Sequence, residues 1–208
     1  MGSSIGPIAS IGMTGRIQWL ADRGGWSPRG VGIDVSLCPK ANSTSDHPWY
    51  DASTGKWVMP TGTILAKITA SGFYIPIKRL QVNGAAGAGV AVVTVDDADH
   101  VVIGDTYTDG VLSFVVLSVD YAANIITATA NFGGAGLADN ALLTDAITLP
   151  GAEGLADGVK ILLEDCEYTG TNDLSVSVIE RAYVNESAMP YSVIPASTKA
   201  LLDRIDWV

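Results

Sequence analysis

At 208 residues the chain can form one large or two small domains, and 48% hydrophobic against 16% charged residues is enough apolar material for a core, which excludes a disordered chain. The net charge of −10 argues against a nucleic-acid partner, because that binding draws most of its free energy from Lys and Arg neutralising phosphates. No apolar run approaches the ~20 residues that a membrane-spanning helix needs, so no membrane partner is expected.

Glycine is abundant, at 23 residues, and Val, Ile and Thr recur between tight turns, which predicts a mostly all-β chain. Residues 1–46 carry eight of those glycines and only isolated hydrophobics. No strand or helix period is sustained there, and the glycines make ordering costly, so the stretch reads as an extended N-terminal arm. Four basic residues (Arg16, Arg23, Arg29, Lys40) against three acids (Asp22, Asp34, Asp46) give the arm +1 and leave −11 on residues 47–208. Met1-Gly2-Ser3-Ser4-Ile5 lacks the basic start and apolar core of a signal peptide, so cytoplasmic synthesis is expected.

Trp49 to Val58 reads as two strand ends around an Asp51-to-Gly55 loop, with Trp49 and Trp57 packing across the strands rather than gripping a sugar. Gly62-Thr63-Ile64-Leu65-Ala66-Lys67-Ile68-Thr69-Ala70-Ser71-Gly72-Phe73-Tyr74-Ile75-Pro76 gives two short strands around a Ser-Gly turn. From Leu80 to Pro150, a Gly84-to-Gly89 entry precedes strand candidates at 90–95, 100–107, 111–119 and 124–130, which suggests a small inserted β module. Gly158 to Glu167 and Leu174 to Asn185 flank the turn formers of 168–173 and read as a β-hairpin. In the tail, Ser197 is a candidate N-cap for one short C-terminal helix, and residues 205–208 can add a last strand.

Chemistry is sparse. Asp96, Asp97 and Asp99 with His100 offer oxygen ligands, but the EF-hand order and its closing glutamate are missing, so a solvated turn is the default and no metal is assigned. Asp165 and Glu167 would share a strand face as paired acids, with nothing to set their pKa values apart. Gly84 to Gly89 precedes a strand rather than a helix, which argues against a phosphate site, and no cofactor is expected. With His47 and His100 as the only histidines, no catalytic triad can be assembled, and no enzymatic activity is expected. Cys38 and Cys166, without companions at metal spacing, are expected to be reduced, buried or inert.

Residues 62–76, 157–166 and 178–189, the last including Asn185-Glu186, together resemble the lambda-type head decoration, or capsid cement, proteins of tailed bacteriophages. The resemblance covers about a third of the chain. It implies a small β-barrel or β-tulip-like body, here residues 47–79 and 151–208, interrupted by the module at 80–150 and preceded by the arm at 1–46. It further implies a virion protein that binds the major capsid protein on the outside of the shell, as a homotrimer at three-fold or quasi-three-fold sites, and stabilises it. The arm would supply the capsid contacts through Ile5, Ile8, Ile11, Arg16 and Trp19, by strand addition, or would thread a neighbouring subunit. The alternative is a carbohydrate- or receptor-binding β protein of a virion appendage, with the module and its aromatics as the ligand surface.

Overall fold

The structure is a computed structural model that describes residues 20–22, 28–39, 47–68, 71–77, 79–145, 159–169, 174–189, 196–200, 202 and 204–208. The described chain opens with β1 (Leu20–Asp22) and β2 (Pro28–Ile33), followed by a 3-10 turn at Val35–Leu37. Next come β3 (Tyr50–Asp51), β4 (Lys56–Met59), β5 (Ile64–Lys67) and β6 (Tyr74–Pro76). The central stretch holds β7 (Arg79–Gln81), β8 (Val92–Thr94), β9 (Thr106–Thr108), β10 (Ser113–Asp120), β11 (Ile125–Ala128) and β12 (Leu142–Asp145). The C-terminal part adds β13 (Val159–Leu162), β14 (Cys166–Tyr168), β15 (Leu174–Ile179), β16 (Ala182–Val184), α1 (Ala196–Lys199) and β17 (Ile205–Trp207). The fold is all β in all but its short turns: among the described residues no helix reaches seven residues.

Five strands close into a barrel in the order β13-β15-β2-β6-β5. Its strands are covered on both faces. One face joins Ile64, Ala66, Val159, Ile161 and Ile179 to the small sheet β1-β16-β17. The other joins Ile33, Leu65, Leu162, Val176 and Val178 to the sheet β14-β4-β3, with its Trp57 and Met59. Double coverage is why Ile64-Leu65-Ala66 and Ile161-Leu162 read as continuous apolar runs instead of alternating ones.

Three expectations change. Residues 28–39, assigned to the arm by their glycines, form β2 and the turn after it, with Ile33, Val35 and Cys38 buried, so the arm does not extend to residue 46. Main-chain pairing with β15 holds β2 in place although Gly30 and Gly32 dilute its hydrophobic signal. Second, β13 and β15 pair antiparallel as a hairpin would, but the run between them breaks at Leu163–Asp165 and delivers β14 to β4 in another sheet. Third, Ser197 lies inside α1 rather than capping it, and the helix stops after one turn because Leu202 and Ile205 continue as reverse turns into β17.

The inserted stretch forms a six-stranded sheet in the order β7-β12-β9-β10-β11-β8. It curls into a half-barrel, because Val82 bridges Val95 at the edges, flanked by Asn83 N–H to Thr94 O and Asp96 N–H to Gln81 O, both 2.9 Å. Its core, from Leu80 to Leu143, is drawn from the module alone and includes Tyr107, Phe114, Ile126 and Phe132. The expected strand at 100–107 is shortened: Asp105 accepts the Val102 N–H at 3.0 Å, holding residues 101–105 in turns, and β9 starts at Thr106. Gly136 is required where it stands, at φ +75°, because a Cβ there would lie 2.1 Å from the Ala86 carbonyl oxygen.

Candidate functional site

The barrel brings the three widely separated sequence segments side by side. β5 pairs with β6 and with β13, and β13 pairs with β15, which leads into β16. The loop before β5 locks this arrangement: Gly62 N–H donates to Leu162 O at 2.8 Å, and Thr61 Oγ1–H donates to Leu163 O at 2.7 Å. Asp165 accepts the Thr61 N–H at 2.8 Å, so this acid is a structural clamp at the strand break. Glu167 stands apart from it, in an exposed 2.6 Å pair with Lys56. The two do not share a strand face as a catalytic pair, because the chain breaks between strands at Asp165. Cys166 between them is a free buried thiol that burial, with Glu164 nearby, pushes up to about 11, so it stays protonated near neutrality. Cys38 is likewise free and buried. Beyond β16, Asn185 caps a 3-10 turn by accepting the Ser187 N–H at 3.1 Å, and Glu186 pairs with Lys199 at 2.6 Å.

A second constellation, absent from the sequence reading, lies where module meets body. His47 is 2% exposed, its ring 5.0 Å from Trp57, 5.9 Å from Trp49 and 4.8 Å from Tyr121 of the module. Its Nδ1 accepts the Trp49 N–H at 3.0 Å, which places the proton of the neutral ring on Nε2. Burial, with His100 nearby, pushes its pKa down to about 4. The Tyr121 hydroxyl donates to Val101 O at 2.9 Å, and burial, with Asp105 and Asp99 nearby, pushes it up to about 12. Asp99 is raised to about 6 by burial and by Asp97. The chain's only two histidines thus influence each other across the junction, 53 positions apart in the sequence, a spacing that carries no motif.

The module holds eight aspartates between residues 80 and 150 and no Lys or Arg. Turn geometry accounts for most of them. Asp97 accepts the Asp99 N–H, Asp109 those of Val111 and Leu112, Asp120 that of Ala123 and Asp139 that of Gly84. The Asp139 contact also fills the glycine-rich entry with a carboxylate, at 2.8 Å from Gly84 N. Among the described residues no group of three or more His, Cys, Asp or Glu side chains could hold a metal ion. The module's aromatics do not form a ligand surface: Tyr107, Phe114 and Phe132 are buried in its core and Tyr121 packs on His47. Its outer face instead exposes Val92, Val115 and Leu117, beside an open cleft of about 200 Å³ near Thr106 and Thr129. Ile5, Ile8, Ile11, Arg16 and Trp19 lie outside the described residues.

Comparison with protein-family models gives no match, and no curated protein matches the chain.

Proposed function

We infer that the chain is a non-enzymatic structural protein of a phage virion, which binds the outer surface of the capsid as a homotrimer at three-fold or quasi-three-fold sites and stabilises the shell. The observation that carries this reading is the convergence of the three resembling segments. Residues 62–76 supply β5 and β6, residues 157–166 supply β13, and residues 178–189 supply the end of β15, β16 and the Asn185 cap. β13 lies between β5 and β15, although eighty residues separate the first segment from the second. Short phrases scattered by chance have no reason to become neighbouring strands of one closed barrel.

The mechanism is mass action: protein that binds the assembled shell, and not its expanded or burst form, shifts the equilibrium toward the bound state by RT ln(1 + [L]/Kd). A trimer at a three-fold site makes three equivalent contacts, and the second and third are intramolecular once the first forms. The test is to mix the purified protein with undecorated heads and image them. Density at three-fold or quasi-three-fold sites is expected; no density on heads, with a positive glycan-array signal from the same protein, would overturn the reading in favour of an appendage protein.

A further inference from the structure

Strand β10 is eight residues long, but its two neighbours divide it. β9 pairs with Ser113, Phe114 and Val115, whereas β11 pairs on the opposite side with Val116 and with Ser118 to Asp120. On the β9 side the far half is covered by the turns at 101–105, where Val116 N–H donates to Asp105 O and Gly104 N–H to Val116 O, both at 2.9 Å. On the β11 side the near half stays open. Thr129 N–H donates to Val115 O at 2.9 Å, and the chain then turns away, so that Phe132 N–H goes to Val90 O at 2.7 Å. The gap this leaves is the cleft of about 200 Å³, walled by Leu112 to Val115 and by Thr129 to Gly133.

Strand alternation decides which main-chain groups look into the cleft. Val116 turns its N–H and C=O toward the β9 side, so Ser113 and Val115 turn theirs the other way. Thr129 holds the Val115 carbonyl, but among the described residues no main-chain group bonds Ser113 on that side. The side chains of this row are exposed as well: Val111, at the tip of the β9–β10 turn, is 97% exposed and Val115 37%, with exposed Ser113 between them. The tip is fixed in place, because Asp109 accepts the Val111 and Leu112 N–H groups and Thr108 Oγ1 accepts that of Gly110. Neither wall carries a charge, since residues 111–118 are Val-Leu-Ser-Phe-Val-Val-Leu-Ser and residues 129–136 are Thr-Ala-Asn-Phe-Gly-Gly-Ala-Gly. Open strand edges are ordinarily guarded by Lys, Pro or a bound cover, and this one has no such guard within the chain.

We propose that two copies of this chain pair antiparallel along this open half of β10, about a two-fold axis beside Ser113. Two observations make a second copy the occupant. Ser113 offers one donor and one acceptor on the same edge, and across a two-fold axis each N–H meets the other copy's C=O, so the edge is its own complement. Charge points the same way: at net −10, with eight aspartates and no Lys or Arg in the module, copies repel one another over most of that unit, and the stretch between Asp109 and Asp120 is the acid-free approach. A basic partner would instead be drawn to the aspartate-bearing turns. Pairing covers Val111 of both copies and ends at Val115, whose carbonyl is already taken. The open edge spans about four residues, roughly 13 Å, so the contact is smaller than the ~1,200 Å² of a stable complex and the pairing is reversible. It goes beyond the capsid reading and does not rest on it.

Sedimentation velocity of the full-length protein, with no shells present, tests the pairing, so its failure is distinct from failure to bind capsid. The parent should show a reversible doubling of its smallest species as concentration rises from micromolar toward millimolar. Val111→Glu places like charges near each other across the axis, at a position so exposed that folding is unaffected, and should weaken the doubling at least about tenfold. Ser113→Pro deletes the edge N–H and spares the β9 ladder, because that N–H faces away from β9; it should weaken the doubling similarly. A parent that never doubles overturns the proposal and leaves the edge to a different chain. Unchanged doubling in either folded variant also overturns it, by assigning the association to another surface. Should Ser113→Pro fail to fold, hydrogen exchange of the parent takes its place: a Ser113 amide protected at high concentration and open on dilution supports the pairing, and one open at both overturns it.

Discussion

His47 and Asp99 make the junction respond to acid in opposite senses. The folded pKa of His47, about 4, lies below the ordinary 6.5, so as pH falls through 6.5 the unfolded chain takes up a proton that the folded one refuses. Stability contributed by the neutral ring is complete above pH 6.5 and declines toward pH 4, by up to about 3 kcal/mol at roughly 1.4 kcal/mol per pH unit. Asp99, raised to about 6, does the reverse: its folded form holds a proton between pH 6 and its ordinary 3.8, so acidification over that window stabilises the fold. Asp99 is only partly buried, and solvent screens it, so its effect is the smaller. His47→Asn keeps an acceptor for the Trp49 N–H but cannot titrate; it should cost about 1–2 kcal/mol at pH 7 through lost packing. Its urea midpoint should then fall less than the parent's between pH 6.5 and 4, whereas Asp99→Asn should make it fall more. Parallel pH profiles for parent and His47→Asn would refute the assignment.

At the scale of elements, β2 decides how much of the N-terminal region belongs to the fold. Ile33 and Val35 are fully buried, each contributing roughly 1.5–3 kcal/mol, and the ladder to β15 spans six residues. Their sum rivals the 5–15 kcal/mol of a typical domain, so a chain starting at His47 should lose the barrel's cooperative thermal transition by circular dichroism and keep only that of the self-contained module. This strand also shows where sequence reading stops. The β5–β6 hairpin was legible because Ser71-Gly72 marks a turn between two apolar runs, with Gly72 at φ +78°. β13 was legible from Ile161-Leu162-Leu163. β2 was not, because Pro-Arg-Gly-Val-Gly-Ile carries only two apolar side chains in strand spacing and owes its order to a partner about 150 residues away. The break at Leu163–Asp165 was hidden for the same reason: what fixes it is Thr61, a hundred positions upstream. The His47–Tyr121 junction had no local signal, only a buried ring on one unit meeting a half-buried ring on the other.

For the whole molecule, the question is whether the module is part of the barrel's stability or an attachment to it. Its core is self-contained, and its two connecting strands leave side by side, with Arg79 opposite Thr144 in the β7–β12 ladder. Residues paired across a ladder are about 5 Å apart, so a short Gly/Ser linker can replace residues 80–143 without stretching either strand. The barrel's own apolar clusters contain no residue of that stretch. What the barrel loses is the Tyr121 cover over His47, 4.8 Å away, which exposes part of an aromatic cluster still held by Trp49 and Trp57. The linker variant is therefore expected to stay folded, with stability lowered by about 1–2 kcal/mol, the worth of one aromatic contact and its buried area. With His47 opened to water, its pKa should climb from about 4 back toward 6.5, which the ring proton shifts of His47 in an NMR titration report directly. Under the proposed capsid role, binding to undecorated heads is expected to persist, because the stretch 80–150, with eight aspartates and no Lys or Arg, is expected to project outward rather than clamp the shell. Loss of the barrel's cooperative unfolding on removing the module would show instead that the two units share one core.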